Sequence, residues 1–232
     1  YAGALHFEYE DGVPHSIAPR SGPVRGGTTV VVRGGSVHGA RGGGARGGGA
    51  HGAFCKFGGL DVVGASFDGE GAARCLSPPA TRGAWVGVRL VHGDAVLSPS
   101  VAFEYHADMS VLGVEPVVGV LSGGTLVRVR GSGFSPSAPS AQLVVRVGER
   151  AIVGARVLSA TLLECATPSQ LQPGPLALEV SRNARDFTVD EVLFVYQAAL
   201  RLDEVAPSRG PSSGGSAVVI VGAGFSRRSA SL

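Results

Sequence analysis

Short stretches in which apolar and polar residues alternate are the dominant pattern of this chain. After the Gly123-Gly124 pair, Val127 and Val129 fall on one face of such a stretch. Arg128 and Arg130 fall on the other face. A period of two residues is typical of a β-strand with one buried and one solvated face. The glycine pair supplies the backbone freedom of a tight turn, so the segment predicts a turn followed by one strand.

This turn-and-strand unit recurs along the chain, at Val24–Gly35, Leu121–Phe134 and Ser213–Phe225. From Gly26 to Gly123 is 97 residues, and from Gly123 to Gly214 is 91. A second marker, a phenylalanine two residues before a tyrosine, keeps step and ends at Tyr9, Tyr105 and Tyr196. A period this long fits an immunoglobulin-sized sandwich of about 100 residues rather than a helical solenoid. The chain is therefore predicted to be a tandem array of whole β domains.

These markers predict four segments. Residues 1–12 form the last strand of a preceding repeat, residues 13–106 a first complete domain, and residues 107–199 a second. Residues 200–232 are predicted to be the truncated start of a third repeat. About 30 residues cannot bury a core alone, so we expect this piece to be weakly held. The low-complexity stretch Arg41–Gly49 is interpreted as a flexible surface loop inserted between two strands.

The composition agrees with many short strands joined by turns. The chain has 37 glycines and 14 prolines, and 44% of its residues are hydrophobic. Its net charge of +2 argues against a strongly basic nucleic-acid-binding surface and against an acidic tail. No apolar run reaches the roughly 20 residues of a membrane-spanning helix. The first residue is Tyr1 rather than methionine, so we expect a longer parent protein and a membrane link only through its other parts.

No motif predicts a catalytic, metal or cofactor site. Gly42–Gly47 formally fits the dinucleotide-binding pattern, but no helical pattern follows the glycines. The six histidines lack metal-ligand spacing. Asp186, Asp190 and Glu191 lack the ligand count of a calcium loop and are interpreted as solvated charges. Trp85, the only tryptophan, is interpreted as core or interdomain packing rather than as a sugar-binding platform.

Several motifs recur in one order in both full repeats. In the first repeat they include Pro19–Thr28, Cys55–Gly59, Arg74–Pro79 and the closing Phe103–Tyr105. In these motifs the chain resembles the IPT/TIG family, which comprises immunoglobulin-like domains of plexins and related receptors, of repeat-bearing surface proteins, and of some transcription factors and starch-acting enzymes. The resemblance covers nearly the whole chain. It implies early-set immunoglobulin-like β-sandwiches that bind partners or act as spacers, with no catalytic residues to carry over.

The resemblance also gives the cysteines a role. Cys55 and Cys75 stand where receptor-type members of the family carry a cysteine pair on adjacent strands, which implies a disulfide and an oxidising compartment. In the second repeat Val145 takes the place of Cys55, whereas Cys165 matches Cys75. Cys165 is therefore expected to be a free, buried thiol. The alternative, three buried free cysteines, stays open at this point.

Our leading hypothesis is a non-enzymatic segment of an extracellular or cell-surface protein. Its tandem domains would act as a spacer and as a protein-binding or adhesion module, with a protein partner and no cofactor. One alternative is a carbohydrate-binding or spacer module of a secreted multidomain enzyme. The other is a DNA-binding or dimerisation domain of a transcription factor. Nucleic acid is the less favoured partner, because Arg128, Arg130 and Arg146 are predicted on strand faces rather than on loops at one end of a sandwich.

Overall fold

The computed structural model describes residues 16–33, 53–68, 72–92, 95–134, 143–149 and 151–225. These residues form strands and turns without any helix, which confirms the predicted all-β class. Within the same ranges, no segment is a helix with the length and hydropathy that crossing a bilayer requires. The predicted strand in residues 1–12 and the glycine-rich stretch Arg41–Gly49 lie outside the described residues.

The chain folds as two compact units. Unit 1 comprises the described residues up to Met109 together with Arg182–Asp186. Unit 2 comprises Ser110–Ser181 and the described residues from Phe187 onward. A short segment of the second sequence repeat therefore belongs to the first structural unit, which the repeat markers alone did not indicate.

Unit 1 is a sandwich of two sheets. Its described strands are β1 (Ser16–Ala18), β2 (Ser21–Pro23), β3 (Thr29–Arg33), β4 (Ala53–Phe57), β5 (Val62–Gly64), β6 (Ser66–Phe67), β7 (Ala73–Leu76), β8 (Ala84–His92), β9 (Ala95–Val96) and β10 (Val101–His106). One sheet has the order β1-β3-β7-β6, and the other has the order β2-β10-β8-β4-β5 with β9 paired to β8. Neighbouring strands run antiparallel except β2 and β10, which are parallel.

The core of unit 1 lies between its two sheets. Alternate residues of each strand point into it, so β4 buries Cys55 and Phe57 and places Lys56 on the outer face. The ring centroids of Phe57 and Phe103 are 5.6 Å apart, and those of Phe103 and Tyr105 are 5.1 Å apart, both edge to face. The buried cluster comprises Ile17, Val30, Val32, Cys55, Phe57, Ala73, Cys75, Val88, Leu90, Phe103 and Tyr105.

Unit 2 repeats this arrangement except for β9, which has no counterpart strand. Its sandwich strands are β11 (Ser110–Glu115), β12 (Val118–Val120), β13 (Leu126–Ser132), β14 (Val144–Val147), β15 (Ala151–Gly154), β16 (Arg156–Ser159), β17 (Leu162–Ala166), β18 (Gly174–Ser181) and β19 (Val192–Gln197). The sheets have the orders β11-β13-β17-β16 and β12-β19-β18-β14-β15. The buried side chains include Val111, Val127, Val129, Phe134, Leu143, Val145, Val147, Leu163, Cys165, Leu178, Val180, Phe194 and Tyr196. Two copies of one sequence pattern thus give two copies of one fold.

The third copy of the pattern forms a two-stranded hairpin of β20 (Arg201–Ala206) and β21 (Val219–Ala223). Its Val218 and Ile220 correspond to Val127 and Val129 of unit 2, which are fully buried. In the hairpin both side chains are about half exposed. Among the described residues no second sheet covers this apolar face.

In units 1 and 2, close backbone approach requires the first glycine of the pair that marks the repeat. Gly26 has a φ of +78°, and a Cβ atom there would lie 2.7 Å from the carbonyl oxygen of Ser77. The next amide, that of Gly27, donates to the same oxygen at 2.8 Å. Gly123 has a φ of +74°, and its Cβ would lie 2.6 Å from the carbonyl carbon of Pro168. No other residue fits the turn, because both the backbone conformation and the space exclude a side chain.

The tyrosine that closes each repeat ties the last strand to the preceding proline turn. Tyr105 Oη donates to the carbonyl oxygen of Pro78 at 2.8 Å, and Tyr196 Oη donates to that of Pro168 at 2.7 Å. Burial raises the pKa of Tyr105 to about 12 and also raises the pKa of Tyr196. Both hydroxyls therefore remain protonated donors at neutral pH.

Replacing either tyrosine by phenylalanine should destabilise the protein. Tyr105→Phe and Tyr196→Phe each remove the donor for a proline carbonyl, so we expect each to lower the free energy of unfolding by about 1–3 kcal/mol. The exposed Ser212→Ala is a matched control for loss of a hydroxyl and should change it by less than about 0.5 kcal/mol. Chemical denaturation measures the free energy of unfolding of all three variants. It is followed by the circular dichroism of the backbone, a signal that does not depend on the tyrosines. Equal effects of the three variants would contradict the role of the tyrosines.

Candidate functional site

A disulfide joins the two sheets of unit 1 through its core. Cys55 on β4 and Cys75 on β7 are both buried, their sulfurs are bonded, and their Cα atoms are 6.2 Å apart. The expected placement on adjacent strands is wrong, because β4 and β7 belong to different sheets. Closing a loop with a sequence separation of 20 stabilises the folded state by about 3 kcal/mol in the chain-entropy model. The bridge therefore fixes one sheet to the other.

Unit 2 has the same two positions without a bridge. Val145 on β14 and Cys165 on β17 are buried, and they take the places of the two bridged cysteines. Cys165 is a free thiol. Burial raises the pKa of this thiol to about 11, and the charge of Glu164 adds to the shift. The thiolate is disfavoured at neutral pH, so Cys165 contributes packing rather than nucleophilic chemistry.

A buried polar cluster lies at the end of β10 in unit 1. Glu104, His106 and Arg182 are each more than nine-tenths buried. Arg182 Nη1 and Glu104 Oε1 are 4.0 Å apart, and His106 Nδ1 lies 2.9 Å from the carbonyl oxygen of Ala107. Burial lowers the pKa of His106; the Ala107 carbonyl, Glu104 and Asp186 oppose this shift, and the charge of Arg182 adds to it. His106 is therefore neutral in folded unit 1 at neutral pH.

Of the three residues interpreted as solvated charges, Asp190 and Glu191 are exposed, whereas Asp186 is half-buried and hydrogen-bonded within unit 1. Asp186 Oδ2 accepts from Thr28 Oγ1 and from Asn183 Nδ2, both at 2.7 Å. Asp190 Oδ2 accepts from the backbone amide of Val111 at 2.6 Å. Within the part of the chain that the structure describes, no group of three or more His, Cys, Asp or Glu residues could hold a metal ion. Asp190 therefore fixes its loop to β11, and Asp186 links its loop to Thr28, the residue before β3.

The arginines on one outer sheet face of unit 2 are paired with carboxylates. Glu164 on β17 lies 3.7 Å from Arg128 and 2.7 Å from Arg156, measured between charged atoms. Hydrogen bonding to Arg156 lowers the pKa of Glu164. Arg130 pairs with Glu115 at 3.1 Å. Their charges are partly neutralised within the domain, which weighs against a phosphate-binding surface on this face.

One position of the other sheet differs in charge between the two units. In unit 2, Arg146 on β14 lies opposite Glu179 on β18, and its Nε donates to Glu179 Oε2 at 3.0 Å. The Arg146 guanidinium also lies 4.0 Å from the ring centroid of Phe187. In unit 1 the same position places Lys56 on β4 opposite Arg89 on β8. The sequence patterns did not reveal this pair, although an alignment of the two repeats places Arg89 at the position equivalent to Glu179.

Trp85 lies on the outer face of β8, with 61% of its surface exposed. The prediction of core packing is wrong, because Val88 and Leu90 are inward positions of the same strand and alternation then turns Trp85 outward. Glu104 lies opposite Trp85 on β10. An exposed indole offers a large rigid surface with one hydrogen-bond donor.

Replacing Cys55 by valine should reproduce in unit 1 the valine–cysteine pair of unit 2. We expect the free energy of unfolding to fall by about 3 kcal/mol, because the loop constraint is lost while an apolar side chain is kept. Cys55→Ser should cost more, since it also buries a hydroxyl. Cys165→Val is the matched control and should change stability by less than about 1.5 kcal/mol.

Guanidinium denaturation measures these variants, and thiol labelling checks the pairing directly. In wild-type protein unfolded without a reductant, Cys165 alone should react with a maleimide reagent. Labelling of all three cysteines under those conditions would contradict the bridge.

Lowering the pH should destabilise unit 1 through His106. Because its folded-state pKa lies below the value of about 6.5 for an unfolded histidine, the unfolded chain binds the proton more tightly. The contribution of His106 to stability is therefore complete above about pH 6.5 and is lost as the pH falls from there towards the folded-state pKa. Thermal unfolding between about pH 7.5 and about pH 5 should show a smaller loss for His106→Gln than for the wild type. Identical pH profiles would rule out this role.

Known protein families and relatives match the same two repeats. The sequence profile of the IPT/TIG domain matches residues 13–105 and 109–196. Fibrocystin-L of Homo sapiens is 34% identical over 131 residues, which cover 55% of this chain and 3% of that protein. Plexin-B3 of Homo sapiens is 33% identical over 133 residues, which cover 56% of this chain and 6% of that protein. Plexin-2 of Caenorhabditis briggsae is 25% identical over 197 residues, which cover 81% of this chain and 10% of that protein.

A solved structure of the full extracellular region of plexin A4 covers 86% of this chain, with 16% identity and a TM-score of 0.46, and the match covers 18% of that structure. The chain spans at most 10% of the length of the three curated relatives. The two profile matches cover most of the sequence and coincide with the strands of the two sandwiches. They confirm the resemblance noted in the motifs: the chain belongs to the IPT/TIG family and carries two copies of its domain.

Proposed function

We propose that this chain is a non-catalytic extracellular or cell-surface segment, whose tandem IPT/TIG domains act as a spacer and as a protein-binding or adhesion module. The observation that carries the proposal is the Cys55–Cys75 disulfide. Disulfides persist in oxidising compartments such as the cell exterior and are rare in the cytosol and nucleus. The plexins among the sequence relatives support the same placement, since the family occurs in plexins and related receptors.

The outer sheet faces supply the surfaces for a protein partner. Apolar side chains are exposed there beside charged ones; they include Phe54, Val62 and Trp85 in unit 1 and Leu112, Leu126 and Leu193 in unit 2. Protein interfaces combine such apolar contacts with a polar rim. The loop carboxylates Asp186 and Asp190 are instead engaged in hydrogen bonds within the units. Surface recognition is therefore the activity that this arrangement supports best.

Binding to isolated ectodomains tests this function. The purified chain, with its disulfide intact, is screened against an array of receptor and secreted ectodomains, with duplex DNA as the comparison ligand. We expect saturable binding to at least one ectodomain and none to DNA, because the strand-face arginines of unit 2 are already paired. The Cys165→Val variant should bind as the wild type does. Binding to DNA alone would contradict the proposal.

Surface labelling tests the cellular placement. Cells that express the full-length parent protein are treated with a membrane-impermeant biotin reagent before lysis. We expect the region of this chain to be labelled on intact cells. Labelling only after permeabilisation would place this region inside the cell. The disulfide would then no longer support an extracellular location.

Carbohydrate binding is the second candidate function, and the exposure of Trp85 favours it. A sugar ring stacks on an exposed indole through apolar contact, and the neighbouring polar groups supply hydrogen bonds. In a polysaccharide array, binding that Trp85→Ala abolishes would support this candidate. Binding to ectodomains that persists in Trp85→Ala, with no glycan bound, would exclude it.

A further inference from the structure

The outer face of the larger sheet in unit 1 carries two cations directly opposite one another. Lys56 on β4 pairs in register with Arg89 on β8. Both side chains are partly exposed, while their strand neighbours Cys55 and Leu90 are completely buried. Like charges at directly opposite positions of an antiparallel pair are destabilising. Within the ranges that the structure describes, neither Lys56 nor Arg89 forms an ion pair with a carboxylate.

In unit 2 a carboxylate neutralises the cation at the equivalent position. There Arg146 faces Glu179 across the strands and is bonded to it, and the guanidinium lies over the ring of Phe187. The two units have the same sheet order, so the comparison is between equivalent sites. Unit 1 keeps the cation of this pair as Lys56 and replaces its acidic partner with Arg89. The site therefore lacks the carboxylate that its counterpart has.

Exposed or half-exposed apolar side chains flank the two cations on two sides. Val62 lies opposite Lys56 on β5 and is 51% exposed. Phe54, 38% exposed, and Val96, 57% exposed, lie in the adjacent row on either side of Val91 on β8. We call this surface the cationic patch: Phe54, Lys56, Val62, Arg89, Val91 and Val96. Exposed apolar side chains beside two cations that have no carboxylate partner among the described residues are typical of a binding surface rather than of a solvated sheet face.

We propose that the cationic patch binds an acidic segment of a partner protein, a segment that combines carboxylates with apolar side chains. A partner carboxylate would lie between Lys56 and Arg89 and would supply the negative charge that Glu179 supplies in unit 2. The apolar side chains of the segment would pack on Phe54 and Val96 and bury them. This inference rests on the proposed protein-binding function and names the chemistry of the partner. A sulfated glycan fits less well, because the patch offers two cations and leaves its apolar area unused by such a ligand.

Peptide selection tests the proposal without a known partner. Short random peptides displayed on phage are selected on the full, disulfide-bonded chain, and the consensus peptide is synthesised with a fluorescent label. We expect the consensus to be rich in Asp and Glu interspersed with apolar residues. Its Kd should rise by at least about tenfold for Arg89→Glu, which corresponds to about 1.4 kcal/mol. Affinity should also fall as the salt concentration increases.

The matched control is Arg33→Glu, the same charge change at an exposed position on the other sheet of unit 1. It should bind the peptide as the wild type does. Arg89→Glu should stay folded, because glutamate is what unit 2 carries at this position, and it should have a higher midpoint of thermal unfolding than Arg33→Glu because it pairs with Lys56. A lower midpoint for Arg89→Glu would overturn the equivalence of the two sites.

Other outcomes would also overturn the proposal. Selection of peptides without acidic residues, or of peptides that bind Arg89→Glu and the wild type equally, would exclude the cationic patch and leave the protein-binding function standing. If Arg33→Glu weakened peptide binding as much as Arg89→Glu, the loss of affinity would come from net charge rather than from the cationic patch. Binding of a heparin oligosaccharide that Arg89→Glu abolishes and Phe54→Ala leaves unchanged would identify a sulfated glycan as the ligand. Failure to bind any ectodomain or peptide would instead remove the protein-binding function itself.

Discussion

The two-residue period of the strands is the constraint on which the rest of this structure depends, because it decides which side chains meet in the core. In β4 it turns Cys55 and Phe57 inward and Lys56 outward. A shift of one residue would bury the Lys56 ammonium at high cost and take Cys55 out of reach of Cys75. The bridge between the sheets, the packing of the aromatic rings and the charge of the outer face all follow from this single register.

Features encoded locally could be predicted from the sequence, and features that depend on distant residues could not. The glycine pairs and the alternation act within a few residues of themselves, so they predicted the fold and its repetition. The cysteine pair was also visible in the motifs. The sequence did not show that the two cysteines lie in different sheets. Alternation gives the face of the strand that Cys55 occupies, but it does not give the strand that lies across the core from Cys55. Asp186 was misread for the same reason, because its partner Thr28 is far away in sequence.

The two units share their interior and differ on their surfaces. Val145 and Cys165 fill the places of a bridged pair with side chains of similar volume, as a close-packed core requires. The outward positions have no such requirement, and there Glu179 in one unit corresponds to Arg89 in the other. Duplicated domains of one fold can therefore acquire different surface chemistry while each keeps the same core.

The covalent link between the sheets of unit 1 also limits how far that unit can be drawn out under mechanical load. A fully extended residue spans about 3.5 Å, so the chain between Cys55 and Cys75, with a sequence separation of 20, represents about 70 Å of contour length. That length stays inaccessible to pulling while the sulfurs are bonded and is released when they are reduced. Unit 2, with Val145 and Cys165 at these places, has no such reserve. Neighbouring domains of one fold thus differ in extensibility, and reduction of a disulfide lengthens only unit 1.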